Sequence, residues 1–113
     1  MWRDNVGPEK IFENKVKDFI KDQNGWHVKF FANRMTKEGI PDVLSCINGY
    51  FVVIEIKAQN GKPSDLQIYH CEKIREAGGF AFVLYPSGFD DFKKFVKDLK
   101  HDTFTRDMPL ILK

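Results

Sequence analysis

Three side chains stand out by type and spacing: Asp42, Glu55 and Lys57. Asn48-Gly49, set between two apolar runs, is the dipeptide best suited to a two-residue type I′ hairpin turn. A hairpin closed there puts Ile47 opposite Tyr50 and, by continuation, Asp42 opposite Glu55. Opposed residues share a face, and that face recurs every second residue, so Lys57 joins the two carboxylates. If Ile47 and Tyr50 form the hydrogen-bonded pair beside the turn, alternation makes Asp42 and Glu55 a non-hydrogen-bonded pair, with Cβ atoms roughly 4.5–5.5 Å apart. Two like charges so placed repel unless a cation lies between them. Mg²⁺ takes one or two carboxylates and fills its remaining positions with water and substrate phosphate. The chemistry this spacing points to is metal-dependent phosphodiester hydrolysis. The register is the vulnerable step, because a bulge between Asp42 and Ile47 would turn Asp42 to the other face.

Each residue also has a plainer reading. Asp42 alone would be a solvated carboxylate at a strand end. Glu55 lies deep in the apolar run Phe51-Val-Val-Ile-Glu-Ile, where an unpaired charge is costly. Its plain reading is a surface pair with Lys57 on an edge strand, but a run apolar on both faces belongs in the middle of a sheet.

The elements that must position these residues follow from periodicity. Residues 9–23 read as a helix, with Phe12, Val16, Phe19 and Ile20 on one stripe and Asn24-Gly25 as its stop. Trp26 to Phe31 reads as an alternating strand on which His27 points to solvent, and residues 32–39 read as a loop. The hairpin strands are Ile40–Ile47 and Tyr50–Lys57. Ser64 is an N-cap for a helix from Leu66 to about Ala77, stopped by Gly78-Gly79. Phe80–Tyr85 is a buried strand, Pro86-Ser-Gly88 a turn, and Asp90 to about Lys100 a last helix with Phe92, Phe95, Val96 and Leu99 on one side. Within the tail 103–113, Leu110-Ile-Leu112 would add an edge strand or meet a partner. The order α-β-β-β-α-β-α, with a helix linking the third and fourth strands, implies an α/β fold: a mixed sheet with helices on both faces.

A chain of 113 residues, 42% hydrophobic with eleven Phe, suits one packed domain, 1–113, and not a disordered segment. The net charge of +2 neither requires nor excludes nucleic acid. Cys46 and Cys71 have no zinc spacing and read as free thiols of a reducing cytosol. The first residues lack the apolar core of a signal peptide, and no run reaches the ~20 apolar residues of a membrane span. His27, His70 and His101 are isolated from one another and read as ordinary side chains. Lys93, Lys94, Lys97 and Lys100, interrupted by Asp90, Asp91 and Asp98, read as a polar helix face. Arg34 and Lys37 precede Asp42 and Lys62 follows Lys57, so these three are the candidates for DNA phosphate contacts. No recognised base-reading module is visible, which favours recognition by DNA shape.

Pro41-Asp42 followed by Glu55-x-Lys57 resembles the PD-(D/E)XK nuclease superfamily. With Gly39-Ile-Pro-Asp42, Val53-Ile-Glu-Ile-Lys57, Lys62-Pro-Ser64, Gln67 and Ala77-Gly-Gly79 before a strand, the chain resembles more narrowly the virus-type replication-repair nuclease (VRR-NUC) family, over about residues 9–87. The resemblance implies a restriction-endonuclease-like core. It implies that Asp42, Glu55 and the Ile56 backbone carbonyl ligate Mg²⁺ or Mn²⁺, and that Lys57 orients or activates the attacking water. It adds Glu13, since superfamily members often carry a glutamate on the first helix near the metal. Glu13 lies about 20° from Ile20 on a helical wheel, at the border of the buried stripe. Glu9 lies one turn earlier on that face, and both also suit the helix dipole as first-turn acids. Gln67 stands where the family carries a glutamine, to bind a water at the metal or to hold Lys57, unless it is simply solvated. The resemblance further implies a phage- or prophage-type cytoplasmic homodimer that cuts branched DNA such as a Holliday junction, with Trp2, Phe104 and the apolar tail as interface candidates. The competing expectations are another nuclease of the same fold, cutting flap or duplex DNA, and a non-catalytic DNA-binding module.

Overall fold

The computed structural model describes residues 7–30 and 38–113. Helix α1 (Pro8–Asp22) begins on a proline and ends where Asn24 takes a left-handed conformation. Strand β1 (Trp26–Lys29), strand β2 (Val43–Ile47) and strand β3 (Tyr50–Ile56) form an antiparallel meander. Helix α2 (Asp65–Glu76) crosses to strand β4 (Phe80–Leu84), which runs parallel to β3. A short 3₁₀ turn (Pro86–Gly88) leads into helix α3 (Phe89–Lys100), and strand β5 (Ile111–Leu112) pairs parallel to β4. The sheet order is β1-β2-β3-β4-β5, so the chain is α/β with a mixed five-stranded sheet. The tail thus adds the edge strand that Leu110-Ile-Leu112 foreshadowed.

The hairpin forms in the register that its turn dictates. Asn48 and Gly49 both have positive φ, 50° and 85°, as a type I′ turn requires. Asn48 also donates its side-chain amide to the Leu99 carbonyl at 2.8 Å, satisfying the C-terminal end of α3. Ile47 faces Tyr50, and the pairing runs without a bulge to Val43 opposite Ile54.

The strands sort their side chains onto two faces. Val43, Ile47, Val52, Ile54, Ile56, Phe80, Phe82 and Leu84 pack with Phe12, Val16 and Ile20 of α1 and Phe92, Phe95, Val96 and Leu99 of α3. Phe82 meets Phe92 and Phe95 edge-to-face, 6.0 and 5.0 Å between centroids. Val53, Ala81, Val83 and Tyr85 face the other way, against Cys71, Ile68 and Ile74 of α2. Glu55, two residues beyond Val53, belongs to this α2 face. Central placement of β3 rules out the edge-strand reading of Glu55 and Lys57.

Two expectations are corrected. His27 does not point to solvent. It pairs opposite buried Ser45, and its Nδ1 is buried with no hydrogen-bond partner among the described residues. Burial, then the charge of Lys17, lowers its pKa. The exposed side of β1 carries Trp26 and Val28 instead, because α1 covers the opposite face. Phe104 is not an exposed aromatic either, since it packs edge-to-face on Tyr50 and Phe80. Trp2 and Phe31 lie outside the described residues. No described helix is long and apolar enough to cross a membrane.

Candidate active site

The candidate residues meet at one end of the sheet, where β2 begins and β3 ends. Asp42 sits immediately before β2. Its backbone carbonyl accepts a hydrogen bond from the Phe30 N–H at 2.6 Å, and its Oδ2 accepts one from the Ile56 N–H at 3.3 Å. These bonds tie Asp42 to both neighbouring strands. Just before it stands Gly39, whose φ is +80° and where a Cβ would come within 2.8 Å of Leu66 on α2. Any other residue there would strain the backbone and push α2 away. Pro41 is buried between this glycine and Asp42.

Glu55 is 2% exposed. Its Oε2 accepts a hydrogen bond from Gln67 Nε2 at 3.0 Å and pairs with Lys57 Nζ at 3.2 Å. Its Oε1 is buried without a hydrogen-bond partner among the described residues. Burial pushes the Glu55 pKa up to about 7. The Asp42 charge adds to the rise against the pull of Lys57. Asp42 lies one residue beyond the last pair of the hairpin, Val43 with Ile54, so continuing the register sets it opposite Glu55. Cys71, behind them on α2, has its thiol raised to about 11 by burial and then by the Glu55 charge, so it is no nucleophile at neutral pH. Both cysteines are free.

Gln67 is placed by its own helix start. Ser64 caps α2 by accepting from the Gln67 N–H at 3.1 Å, and Gln67 Oε1 accepts from the Ser64 N–H at 2.9 Å. This reciprocal capping box leaves the Gln67 amide nitrogen aimed at Glu55. The side chain thus holds Glu55 and not Lys57. The loop between β3 and α2 is tied down by Tyr85, whose hydroxyl donates to the Gly61 carbonyl at 2.8 Å. Lys62 is exposed on that loop.

Glu13 lies on α1 and is equally buried, but it is not part of a three-acid cluster. No group of three or more His, Cys, Asp or Glu able to hold a metal ion occurs among the described residues. Glu13 is held by three lysines. Its Oε2 is 2.9 Å from both Lys10 Nζ and Lys17 Nζ, and its Oε1 is 2.5 Å from Lys29 Nζ. Burial alone would raise its pKa, but hydrogen bonds from Lys29, Lys17 and Lys10 overwhelm that and bring it to about 2. Lys29 Nζ is also 3.8 Å from Asp42 Oδ1, so Glu13 reaches the Asp42 end of the site through a lysine. Glu9 is exposed. Arg34 and Lys37 lie outside the described residues.

Lys29 is the residue that the linear reading passed over. On β1 it shares a face with His27, half-buried on the side that α1 covers. The usable signal was Glu13, a buried acid on α1 that needs a cation from across the layer. His70 is half-exposed against the Tyr69 ring and His101 is exposed at the end of α3, so neither joins the site.

The residues present fit a hard divalent cation. Glu55 offers a buried oxygen without a donor, directly across from a second carboxylate, and oxygen ligands of this kind suit Mg²⁺ or Mn²⁺. In an extended strand the N–H and C=O of one residue open to the same edge. The Ile56 N–H meets Asp42, so its carbonyl opens toward Asp42 as well. No protein-family model and no curated protein matches this chain.

Proposed function

We propose that the protein is a Mg²⁺- or Mn²⁺-dependent endodeoxyribonuclease of the VRR-NUC type, with a restriction-endonuclease-like core, acting on branched DNA such as a Holliday junction. The observation that carries this reading is the buried Glu55, set opposite Asp42 and beside Lys57, with one oxygen unsatisfied among the described residues. A protein has little structural reason to bury such a pair, because removing charge from water is costly unless the charge is matched. Asp42, Glu55 and the Ile56 carbonyl would hold the cation. Bound there, it would supply Lewis acidity at a phosphoryl oxygen and help to ionise water.

The chain's own groups supply the rest. Gln67 fixes the rotamer of Glu55, and the Ile56 N–H fixes that of Asp42, so both ligands are preorganised. Lys57, immediately after the central strand β3 and with its side chain 14% exposed, presents a cation to the negative charge that develops on the phosphate and orients the attacking water. Lys62 stands on the flanking loop to contact the strand. A twofold homodimer would present two such sites to the two symmetric scissile bonds of a four-way junction. Such an enzyme would act in the cytoplasm of a host cell, as phage-type nucleases do.

The test is cleavage of synthetic four-way junction, flap and duplex DNA with Mg²⁺ or Mn²⁺. The wild type should cut the junction, and Lys57→Ala should lower the rate by about 10²–10³-fold, the scale of losing one preorganised electrostatic group. Absence of cutting on every substrate with either metal would defeat the enzyme reading. Equal cutting of junction and duplex would defeat structure specificity. By calorimetry, Mn²⁺ binding should weaken in Asp42→Asn.

A further inference from the structure

We propose that Lys10, Lys17 and Lys29, gathered on Glu13, form a phosphate-binding subsite that takes a backbone phosphate neighbouring the scissile one. This rests on reading Asp42, Glu55 and Lys57 as a nuclease site.

Three cations converge on Glu13, one of them, Lys29, shared with Asp42. Lys10 and Lys17 are each 2.9 Å from the same oxygen, and Lys29 is on the other. The two helix lysines lie three residues before and four residues after Glu13, the spacings that put side chains on one helix face. Lys29 arrives from β1. The group therefore stands on a helix and a strand, which fix positions better than loops do. Side chains of Lys17 and Lys29 are only 18% and 21% exposed, whereas Lys10 is 48% exposed. Lys10 is thus the most exposed of the three.

Lys29 is shared with Asp42, but Lys10 and Lys17 both rest on one Glu13 oxygen, and two cations on one carboxylate, built into a rigid helix, are complementary to an anion. The cluster's position says which anion. Lys29 Nζ is 3.8 Å from Asp42 Oδ1, so an anion bound to the cluster lies directly beside the candidate metal site. A nucleic-acid strand running through that site carries a phosphate on each side of the scissile bond. Lysine presents point charges without the planar fork that reads bases. The subsite would accordingly position the strand without selecting sequence. Glu13 is then a positioning residue: it touches no substrate and holds the three ammonium groups together.

The experiment measures binding without cleavage. Anisotropy of a labelled four-way junction is followed in EDTA over a range of salt concentrations, for wild type and for Lys10→Gln/Lys17→Gln. The double variant should bind roughly tenfold more weakly at moderate salt. Its plot of log K against log salt should flatten by about 0.9, the loss of one phosphate contact on duplex DNA. In parallel, the lysine side-chain NMR signals of the wild type are titrated with inorganic pyrophosphate; those of Lys10, Lys17 and Lys29 should shift together and saturate. An unchanged salt slope together with cleavage of the junction by the wild type would overturn the subsite and leave the nuclease reading standing. Saturable pyrophosphate shifts in a protein that neither binds nor cuts DNA would sink the nuclease reading and assign the subsite to another phosphate ligand. Absence of pyrophosphate shifts with an unchanged slope would overturn the subsite outright.

Discussion

Two glutamates in this protein are buried to the same degree, each 2% exposed, and they meet opposite fates. Glu13, on α1, has three lysines, and its pKa is brought down to about 2. Glu55, under α2, has one lysine and an opposing carboxylate, and titrates near 7. Burial pushes both upward, so burial is not what separates them. The difference is the charge that stands around each. Around Glu13 stand three lysines, one of them shared with Asp42, and beside Glu55 stand one lysine and a second carboxylate. On the proposed reading, a phosphodiester strand with a divalent metal would match both sites at once.

The comparison breaks most visibly at Glu13. Between its folded value of about 2 and its ordinary value of 4.5, the unfolded chain holds a proton that the folded protein has lost. Stability from Glu13 is therefore fully present above the ordinary value and is lost as pH falls through about 2. Glu13→Gln should cost about 3 kcal/mol at pH 7, the scale of breaking a buried ion pair from one side. Urea midpoints taken from pH 7 down to 2 should show the penalty shrinking across the acidic end. A penalty independent of pH would mean that packing, and not charge, sets it.

Glu55 should behave in the opposite sense. Its folded value is raised, so from 4.5 to about 7 the folded protein keeps a proton that the unfolded chain has released. Stability is greatest below the ordinary value and falls as pH rises through the folded one. Glu55→Gln should therefore stabilise the metal-free protein by about 2 kcal/mol at pH 8, less than the shift alone implies because Lys57 loses its partner. Added Mg²⁺ should raise the urea midpoint of the wild type more at pH 8 than at pH 5, because cation and proton compete for the same carboxyls. It should do neither in Glu55→Gln. A destabilised Glu55→Gln at pH 8 would show that Glu55 is a satisfied structural charge.

The smallest effect separates support from charge. Ser64→Ala removes one half of the capping box at the start of α2 and should cost about 1 kcal/mol. Because Gln67 loses part of its own anchorage, junction cleavage should also fall severalfold. Unaltered cleavage at lowered stability would show that Gln67 holds Glu55 without help from its cap.

Much of this was legible in the chain. The hairpin turn is encoded by adjacent residues, and its register carries Asp42 to Glu55 with no long-range information, because strand pairing propagates one residue at a time from the turn. The stripe of Phe92, Phe95, Val96 and Leu99 likewise announces the buried side of α3. The direction of β1 was not legible. His27 and Lys29 alternate with Trp26 and Val28, and apolarity assigns the latter pair to the interior. The structure does the reverse, because β1 is an edge strand and α1 covers only one of its faces.

By itself, then, the sequence determined the local geometry: which residues turn, which lie opposite one another, and which helix faces are apolar. Only the tertiary structure decided charge. Whether a buried glutamate sits near 2 or near 7 depends on cations and carboxylates delivered by other elements, Lys29 from β1 to Glu13 and Asp42, just ahead of β2, to Glu55. Coulombic and hydrogen-bond energies in a buried site act over a few ångströms of space, and distance along the chain does not fix that spacing.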